Sequence, residues 1–136
     1  MTEEQVIRKY LGVPYKHKGR SMEGLDCYGL GILLYKDLGY TLFDIKEYAA
    51  NWSAKGANYL LENYYRQWEK VYSPSTFDAV MFKRTKDSIL VNHGGFVLSD
   101  NRFIHCCKQG TIISKWCDEK WVPLLEGFYH LKERIK

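Results

Sequence analysis

The sequence predicts an α+β fold in which N-terminal helices pack on a central antiparallel sheet of about five to six strands. Two helical patterns come first, one over Glu3–Tyr10 and one that begins at Cys27. Short segments rich in β-forming residues, separated by turn residues, fill the second half of the chain. Because helices and strands are segregated along the chain, we expect an antiparallel sheet with the helices packed against it.

Both helices have recognisable starts. Thr2 and Gln5 form a capping box, in which each side chain can satisfy a free backbone N–H of the first turn. Asp26 is the expected N-cap of the second helix, which places Cys27 in its first turn. Leucines recur at helical spacing on the same face as Cys27, at Leu30, Leu34 and Leu38.

The remaining elements follow from local pattern. Tyr40–Asn51 has no regular period, whereas Ala54–Trp68 has an apolar face at helical spacing. Five strands are predicted, at Ala79–Phe82, Val91–Leu98, Arg102–Cys106, Thr111–Trp116 and Gly127–Leu131. No repeat, linker or low-complexity segment interrupts the chain, so we expect residues 1–136 to form a single domain.

Composition excludes several classes of protein. The chain has 136 residues, 46% of them hydrophobic, which argues against disorder. Its net charge of +4 is mild, and the basic residues are scattered apart from Lys16–Arg20, so no nucleic-acid surface is indicated. No apolar stretch approaches the roughly 18 residues of a membrane span. With no signal peptide, we expect synthesis in the cytoplasm and four reduced cysteines.

Three residues suggest thiol chemistry. Cys27 at a helix start is placed where the helix dipole favours a thiolate. His93 and His105 lie on neighbouring predicted strands joined by the turn Ser99–Asn101, close enough to pair. This layout predicts a hydrolase in which the thiol attacks, His93 takes its proton and His105 orients His93. We expect the dipole and His93 to lower the pKa of Cys27, with the Asp26 carboxylate pointing away towards substrate.

Other interpretations of these residues remain. A buried cysteine is often an inert small apolar residue. A zinc site could draw on the set His93, His105, Cys106, Cys107 and Cys117. Zinc ligands favour spaced pairs, however, and adjacent cysteines on a strand point to opposite faces, so no metal and no cofactor are predicted. His17 is expected in a solvated loop, and His130 on a surface strand.

Several motifs together resemble the NlpC-type cell-wall cysteine peptidases, a papain-like superfamily. The match covers most of the chain and consists of the segments Tyr10–Tyr15, Gly24–Leu30, Thr76–Phe82, Asn92–Leu98 and Phe103–His105. Phe77 stands where this family usually has glycine, and Gly94 where valine is commoner. The resemblance implies an NlpC-type papain-like fold with Cys27, His93 and His105 as the catalytic set.

The resemblance also implies substrate-binding residues. Tyr15 matches a tyrosine that lines the site and helps to hold the oxyanion. Asp26 matches a residue that binds the free amine of a stem peptide in peptidoglycan-cleaving members. Tyr28 replaces the family's serine at a substrate-contacting position. The implied substrate is a peptidoglycan stem peptide, cut next to a D-glutamyl residue.

Variants of this kind resemble the bacteriophage and prophage tail-associated branch of the family. That resemblance implies phage tail proteins as partners, and a product that is virion-associated or released at lysis. Two other functions stay open at this point. One is a structural or assembly role in a tail, with the peptidase fold retained. The other is a thiol amidase or transacylase acting on a substrate outside the wall.

Overall fold

The computed structural model describes residues 1–42, 67–88 and 91–135. The helices in this part of the chain are α1 (Glu3–Tyr10) and α2 (Cys27–Asp37), with short 3₁₀ turns at Val122–Leu124 and Lys132–Ile135. The strands are β1 (Arg20–Ser21), β2 (Gly24–Leu25), β3 (Trp68–Val71), β4 (Ala79–Lys83), β5 (Val91–Val97), β6 (Arg102–Cys107), β7 (Gly110–Lys115) and β8 (Leu125–Leu131). The capping box at Thr2 is present as predicted.

The main sheet has six antiparallel strands in the order β3-β8-β4-β5-β6-β7. β5 runs along β4 for most of its length, from Ala79↔Phe96 to Lys83↔Val91. With β6 it pairs at only two positions, Phe96↔Ile104 and Val97↔Phe103. The two strands therefore diverge towards His93, and this gap is where the candidate site lies.

All five predicted strands are present, but three further strands were not predicted. Trp68, expected at the end of a helix, instead begins β3, where it pairs with Leu131 of β8. The two-residue strands β1 and β2 form a separate small hairpin. In both cases pairing with a partner strand decides the structure, and local pattern does not report such pairing. Residues 43–66 of the predicted irregular segment and middle helix lie outside the described residues.

The sheet buries apolar side chains on both faces. On one face α2 contributes Leu30, Leu34 and Tyr35, which belong to the same cluster as Met81 and Phe96. The opposite face has its own cluster, built on Val80, Phe82, Val97, Phe103 and Phe128. The segment that links β7 to β8 covers this second cluster with Trp116, Trp121 and Leu124. No helix in the described ranges combines the length and apolar character needed to cross a bilayer.

Two local features fix strands that carry site residues. Glu3 of α1 accepts hydrogen bonds from the backbone N–H of Ser99 at 2.8 Å and from Arg102 at 3.0 Å, which ties α1 to the β5–β6 turn. Phe77, just before β4, has a φ of 72°, in the left-handed region that favours glycine. Its carbonyl accepts a hydrogen bond from the Tyr35 hydroxyl, which holds that backbone against α2.

Candidate active site

Asp26 organises the start of α2. Its Oδ1 accepts the Gly29 N–H at 2.7 Å, so the predicted N-cap is confirmed. The same oxygen pairs with the Arg20 guanidinium at 3.0 Å, and Oδ2 accepts the Lys18 N–H at 3.1 Å. Asp26 is only 5% exposed. The expectation that its charge points away towards substrate is therefore wrong: the carboxylate faces the protein and a guanidinium balances it.

Cys27 follows in the first turn of α2, and the backbone N–H of Gly94 on β5 lies near enough to its sulfur to favour the thiolate form. Burial and the neighbouring Asp26 charge raise the pKa of Cys27 to about 12, and the hydrogen bonds from Gly94 and Tyr28 only partly offset this. The prediction of a lowered pKa is wrong because it neglected the loss of hydration around the thiol. In the free protein Cys27 is a neutral thiol at pH 7.

The two predicted histidines do meet. Nε2 of His93 lies 2.7 Å from Nδ1 of His105, which confirms the predicted pairing across β5 and β6. Nε2 of His105 in turn lies 2.8 Å from the hydroxyl of Ser114 on β7. A line of hydrogen bonds therefore crosses three strands. The hydrogen bonds of the described residues include none directly from the Cys27 thiol to the His93 ring.

The glycines after His93 have different roles. A Cβ on Gly95 would lie 2.8 Å from the Ile104 carbonyl oxygen and 2.9 Å from the Cβ of His105. Gly95 is thus the residue that lets β6 and His105 approach β5. A Cβ on Gly94 would press on the flexible end of Met81, at 3.0 Å, and would be in ordinary contact with the Val80 carbonyl oxygen, at 3.6 Å. The close approach at this point of β5 is therefore made by β6, and it is specific to Gly95.

Both rings are poor proton acceptors in the free protein. Burial, with the Lys120 charge as a second cause, lowers the pKa of His93 to about 4. Burial, then His93 and Lys120, lowers the pKa of His105 to about 3. At neutral pH both rings are uncharged, so each has one N–H and one bare nitrogen.

Sequence reasoning missed Trp121 at this site. Its indole stacks on His93, with ring centres 6.0 Å apart and planes at 25°. It meets His105 edge-on, at 5.3 Å and 85°. Trp121 lies in a loop where no periodic pattern marks a buried face. The only available signal was an aromatic residue between charged neighbours and Pro123.

The two predicted tyrosines differ in position. Burial, and then the negative charges that Asp26, Cys27 and Cys106 carry when ionised, raise the pKa of Tyr15, so its hydroxyl stays protonated at neutral pH. Tyr28 is 6% exposed and belongs to the core, with the Arg20 guanidinium 5.6 Å from its ring centre. Tyr28 thus lies under the Arg20–Asp26 pair, and contact between Tyr28 and substrate stays a prediction.

The other histidines lie elsewhere. His130 is on β8 but is half-buried, and its Nδ1 lies 2.5 Å from Oδ1 of the buried Asp78, so the predicted surface position is wrong. His17 is half-buried as well, not a fully solvated loop residue. Within residues 1–42, 67–88 and 91–135, no three histidine, cysteine or acidic side chains are grouped to hold a metal ion.

Comparison with known proteins identifies the family. The model of the NlpC/P60 family matches residues 12–127, which include the α2 start, the histidine pair and Trp121. The chain belongs to the NlpC/P60 family. A curated relative, "Probable peptidoglycan endopeptidase LytE" of Bacillus subtilis (strain 168), is 27% identical over 117 residues. That match covers 86% of this chain but 30% of LytE, so the chain spans under a third of the relative's length.

Solved NlpC/P60 structures share the fold. An NlpC/P60 family protein from Bacillus cereus ATCC 10987 superposes with a TM-score of 0.73 and 19% identity, covering 96% of this chain and 40% of that one. A protein similar to a lipoprotein of the NLP/P60 family, from Staphylococcus aureus subsp. aureus Mu50, superposes with a TM-score of 0.68 and 20% sequence identity. That match covers 94% of this chain and 39% of the other. The NlpC/p60 domain of the peptidoglycan hydrolase SagA superposes with a TM-score of 0.55 and 19% sequence identity. That match covers 93% of this chain and 92% of the other. The predicted α+β papain-like fold of this NlpC/P60 chain is thereby confirmed.

Proposed function

We propose that this NlpC/P60 chain is a cysteine peptidase that cleaves an amide bond in peptidoglycan stem peptides. The observation that carries the proposal is the 2.7 Å contact between His93 and His105, one residue away from Gly94, whose backbone N–H favours the thiolate of Cys27. A nucleophile, a base and a group that orients the base are the parts that acyl transfer through a thiol requires. LytE and SagA are named for a peptidoglycan endopeptidase and a peptidoglycan hydrolase, which supports the choice of substrate.

The hydrogen-bond line assigns a direction to proton transfer. For Nδ1 of His93 to accept the thiol proton, its Nε2 must carry hydrogen and donate to Nδ1 of His105. His105 then carries its own hydrogen on Nε2 and donates to Ser114. This arrangement leaves the bare nitrogen of His93 on the ring edge away from His105.

The reaction starts from a neutral pair, because the pKa of Cys27 is about 12 and that of His93 about 4. The thiol proton therefore moves to His93 as sulfur attacks the carbonyl carbon, as in general base catalysis. The Cys27 backbone N–H and the protonated Tyr15 hydroxyl would stabilise the oxyanion. His93 then protonates the leaving amine, and water hydrolyses the thioester. These steps require no cofactor.

Two finer assignments belong to this proposal. The scissile bond is placed next to a D-glutamyl residue, as the motif resemblance implies. The biological setting is placed in a phage or prophage tail, with the protein virion-associated or released at lysis. Mass spectrometry of purified particles and of the lysate after phage release tests the second assignment. Absence of the chain's peptides from both samples would contradict it.

The test of the activity is mass spectrometry of purified muropeptides after incubation with the protein. We expect a new amine and a new carboxylate at one position of the stem peptide. Cys27→Ser and His93→Ala should abolish the cleavage, whereas Cys117→Ser, at an exposed cysteine, should leave it unchanged. Intact muropeptides with the parent protein would contradict the proposal.

The two alternatives predict different results in the same assay. A tail protein with only a structural role would leave every muropeptide intact. An amidase or transacylase on another substrate would cleave members of an amide and ester panel through Cys27 while leaving muropeptides intact.

A further inference from the structure

Two exposed lysines lie in the loop that leads to the candidate nucleophile. The backbone N–H of Lys16 donates a hydrogen bond to the Leu25 carbonyl at 2.9 Å. The backbone N–H of Lys18 donates to Oδ2 of Asp26 at 3.1 Å. The loop is therefore tied to the two residues that precede Cys27, and its lysine side chains are exposed next to the start of α2.

Lys18 has a backbone conformation that is unfavourable for a lysine. Its φ is 59°, in the left-handed region that glycine adopts without strain and other residues adopt only at a cost in free energy. Strained positions of this kind concentrate at active sites and ligand-binding segments, where the surrounding structure holds them. A glycine would form the same loop at a lower cost, so stability alone does not account for a lysine at this position.

The negative charge beside the nucleophile is already balanced. The acidic residues between Tyr15 and Cys27 are Glu23 and Asp26. Asp26 is 5% exposed and pairs with the Arg20 guanidinium at 3.0 Å, so its charge is compensated inside the protein. Glu23 is exposed in the turn between β1 and β2. An anion that approaches from solvent is therefore not repelled by an exposed carboxylate next to the thiol.

Lys120 supplies positive charge on the histidine side of the site. It is exposed in the segment between β7 and β8, and its charge acts on both His93 and His105. Asp118 and Glu119 precede it in the chain, but neither is among the causes that shift the pKa of either ring. Positive charge thus lies next to the histidine pair as well as next to the start of α2.

A carboxylate near the scissile bond is the substrate group that such charges would bind. In a peptidoglycan stem peptide the D-glutamyl residue is linked through its side chain, so its α-carboxylate remains ionised unless it is converted to a carboxamide. A lysine ammonium attracts a carboxylate as a point charge on a flexible chain, so it requires no rigid geometry. The carboxamide is neutral, so the lysine charges distinguish the two forms of the peptide.

We propose that Lys16, Lys18 and Lys120 form a subsite for the α-carboxylate of the D-glutamyl residue, and that the protein cleaves the carboxylate form of the stem peptide in preference to the carboxamide form. This inference rests on the proposed function, because it specifies which chemical form of the proposed substrate the site selects. Exposed ion pairs each contribute little and are screened by salt, so the preference is the product of several small effects.

The test uses two muropeptides that are identical except for a D-glutamyl α-carboxylate in one and an α-carboxamide in the other. We expect the kcat/KM of the parent protein to be roughly tenfold higher for the carboxylate peptide at low ionic strength, from about two- to fivefold for each lysine. This ratio should fall when the ionic strength rises from about 0.01 M to about 0.15 M, because the Debye length shortens from about 30 Å to about 8 Å. The salt dependence is measured on the unaltered protein and requires no variant.

Matched variants locate the charge that is responsible. Lys18→Gln and Lys120→Gln should each lower the ratio by about two- to fivefold, whereas Lys18→Arg should retain it. Lys36→Gln makes the same change in charge at an exposed position in the last turn of α2, and should leave the ratio at its parent value. The ratio cancels changes in the thiol or the histidines, because both peptides meet the same catalytic residues.

Lys18→Gly separates charge from stability. It removes the ammonium and relieves the left-handed conformation, so it should lower the ratio while leaving the urea midpoint equal to or above that of the parent. A lower midpoint together with an unchanged ratio would show that Lys18 has only a structural role, and would overturn its place in the subsite.

Peptide binding to a Cys27→Ala protein separates this inference from the proposed function, because it needs no turnover. Suppose that the parent cleaves neither peptide, but Cys27→Ala binds the carboxylate form more tightly and loses this preference when Lys18→Gln is added. That result would contradict the peptidase and retain the subsite. Cleavage of both peptides with equal kcat/KM, or a ratio that salt does not change, would overturn the subsite and retain the peptidase.

Discussion

Gly95→Ala is the most direct perturbation of the histidine pair. Its Cβ would lie 2.8 Å from the Ile104 carbonyl oxygen, where ordinary contact begins at 3.4 Å, so β5 and β6 must separate by about 0.6 Å (3.4 minus 2.8). The same displacement would lengthen the contact between His93 and His105 from 2.7 Å to about 3.3 Å, past the usual length of a hydrogen bond, and would weaken it. Overpacking of this kind costs about 1–3 kcal/mol of stability. A base displaced by half an ångström loses roughly tenfold in rate.

The neighbouring glycine supplies the control. Gly94→Ala keeps the N–H that meets Cys27 and presses only on the end of Met81, which can move. Urea unfolding should show a midpoint lowered by about 1 M for Gly95→Ala and a much smaller shift for Gly94→Ala. Muropeptide cleavage should fall in the first variant and persist in the second. Equal stability and equal activity in the two variants would refute the argument from the close approach of β6.

Three further predictions concern charge. Iodoacetamide should alkylate Cys27 at pH 7.5 more slowly in the folded than in the unfolded protein, because burial raises the pKa of Cys27 to about 12. Site-resolved mass spectrometry measures the two rates, and faster labelling in the folded protein would contradict this prediction. Asp26→Asn should still cap α2, but it should speed that labelling because the Asp26 charge raises the Cys27 pKa. The same variant should cost about 1.5–3 kcal/mol because the charge-assisted hydrogen bond from Arg20 is lost, and an unchanged urea midpoint would argue against this second effect. Between pH 6.5 and 4 the unfolded chain binds protons at His93 and His105, whereas the folded chain does not. The free energy of unfolding should therefore fall by up to about 1.4 kcal/mol for each ring per pH unit of acidification. Urea unfolding of a His105→Asn variant checks this, and an undiminished dependence of stability on pH would rule out the contribution of His105.

Sequence analysis predicted correctly those features that depend on residues within a single helix or strand. The capping box at Thr2, the N-cap at Asp26 and all five predicted strands are present because local spacing determines them. The pairing of His93 with His105 was predicted from a short turn between two apolar segments rich in β-forming residues. Of all contacts between strands, those between two strands joined by a tight turn are predicted most directly from the sequence.

What the sequence could not reveal depends on elements far apart in the chain. β3 exists because β8 pairs with it, and Trp121 becomes part of the site because its loop folds over Phe82 and Phe103. The direction of the Cys27 pKa was wrong for the same reason, since burial is a property of the assembled fold. The orientation of the Asp26 carboxylate likewise depended on Arg20 from the β1–β2 hairpin.

The position of β8 within the sheet has a consequence for how the protein folds. β8 is the last strand described, yet it lies between β3 and β4, so these two strands cannot join until it arrives. Its pairs Trp68↔Leu131 and Ala79↔Tyr129 close long loops, whose entropic cost precedes any gain from contact. Folds dominated by such distant pairings fold slowly. During synthesis, the β4–β5 hairpin that carries His93 can therefore form early, but the complete sheet on which it rests forms only after Leu131 has left the ribosome.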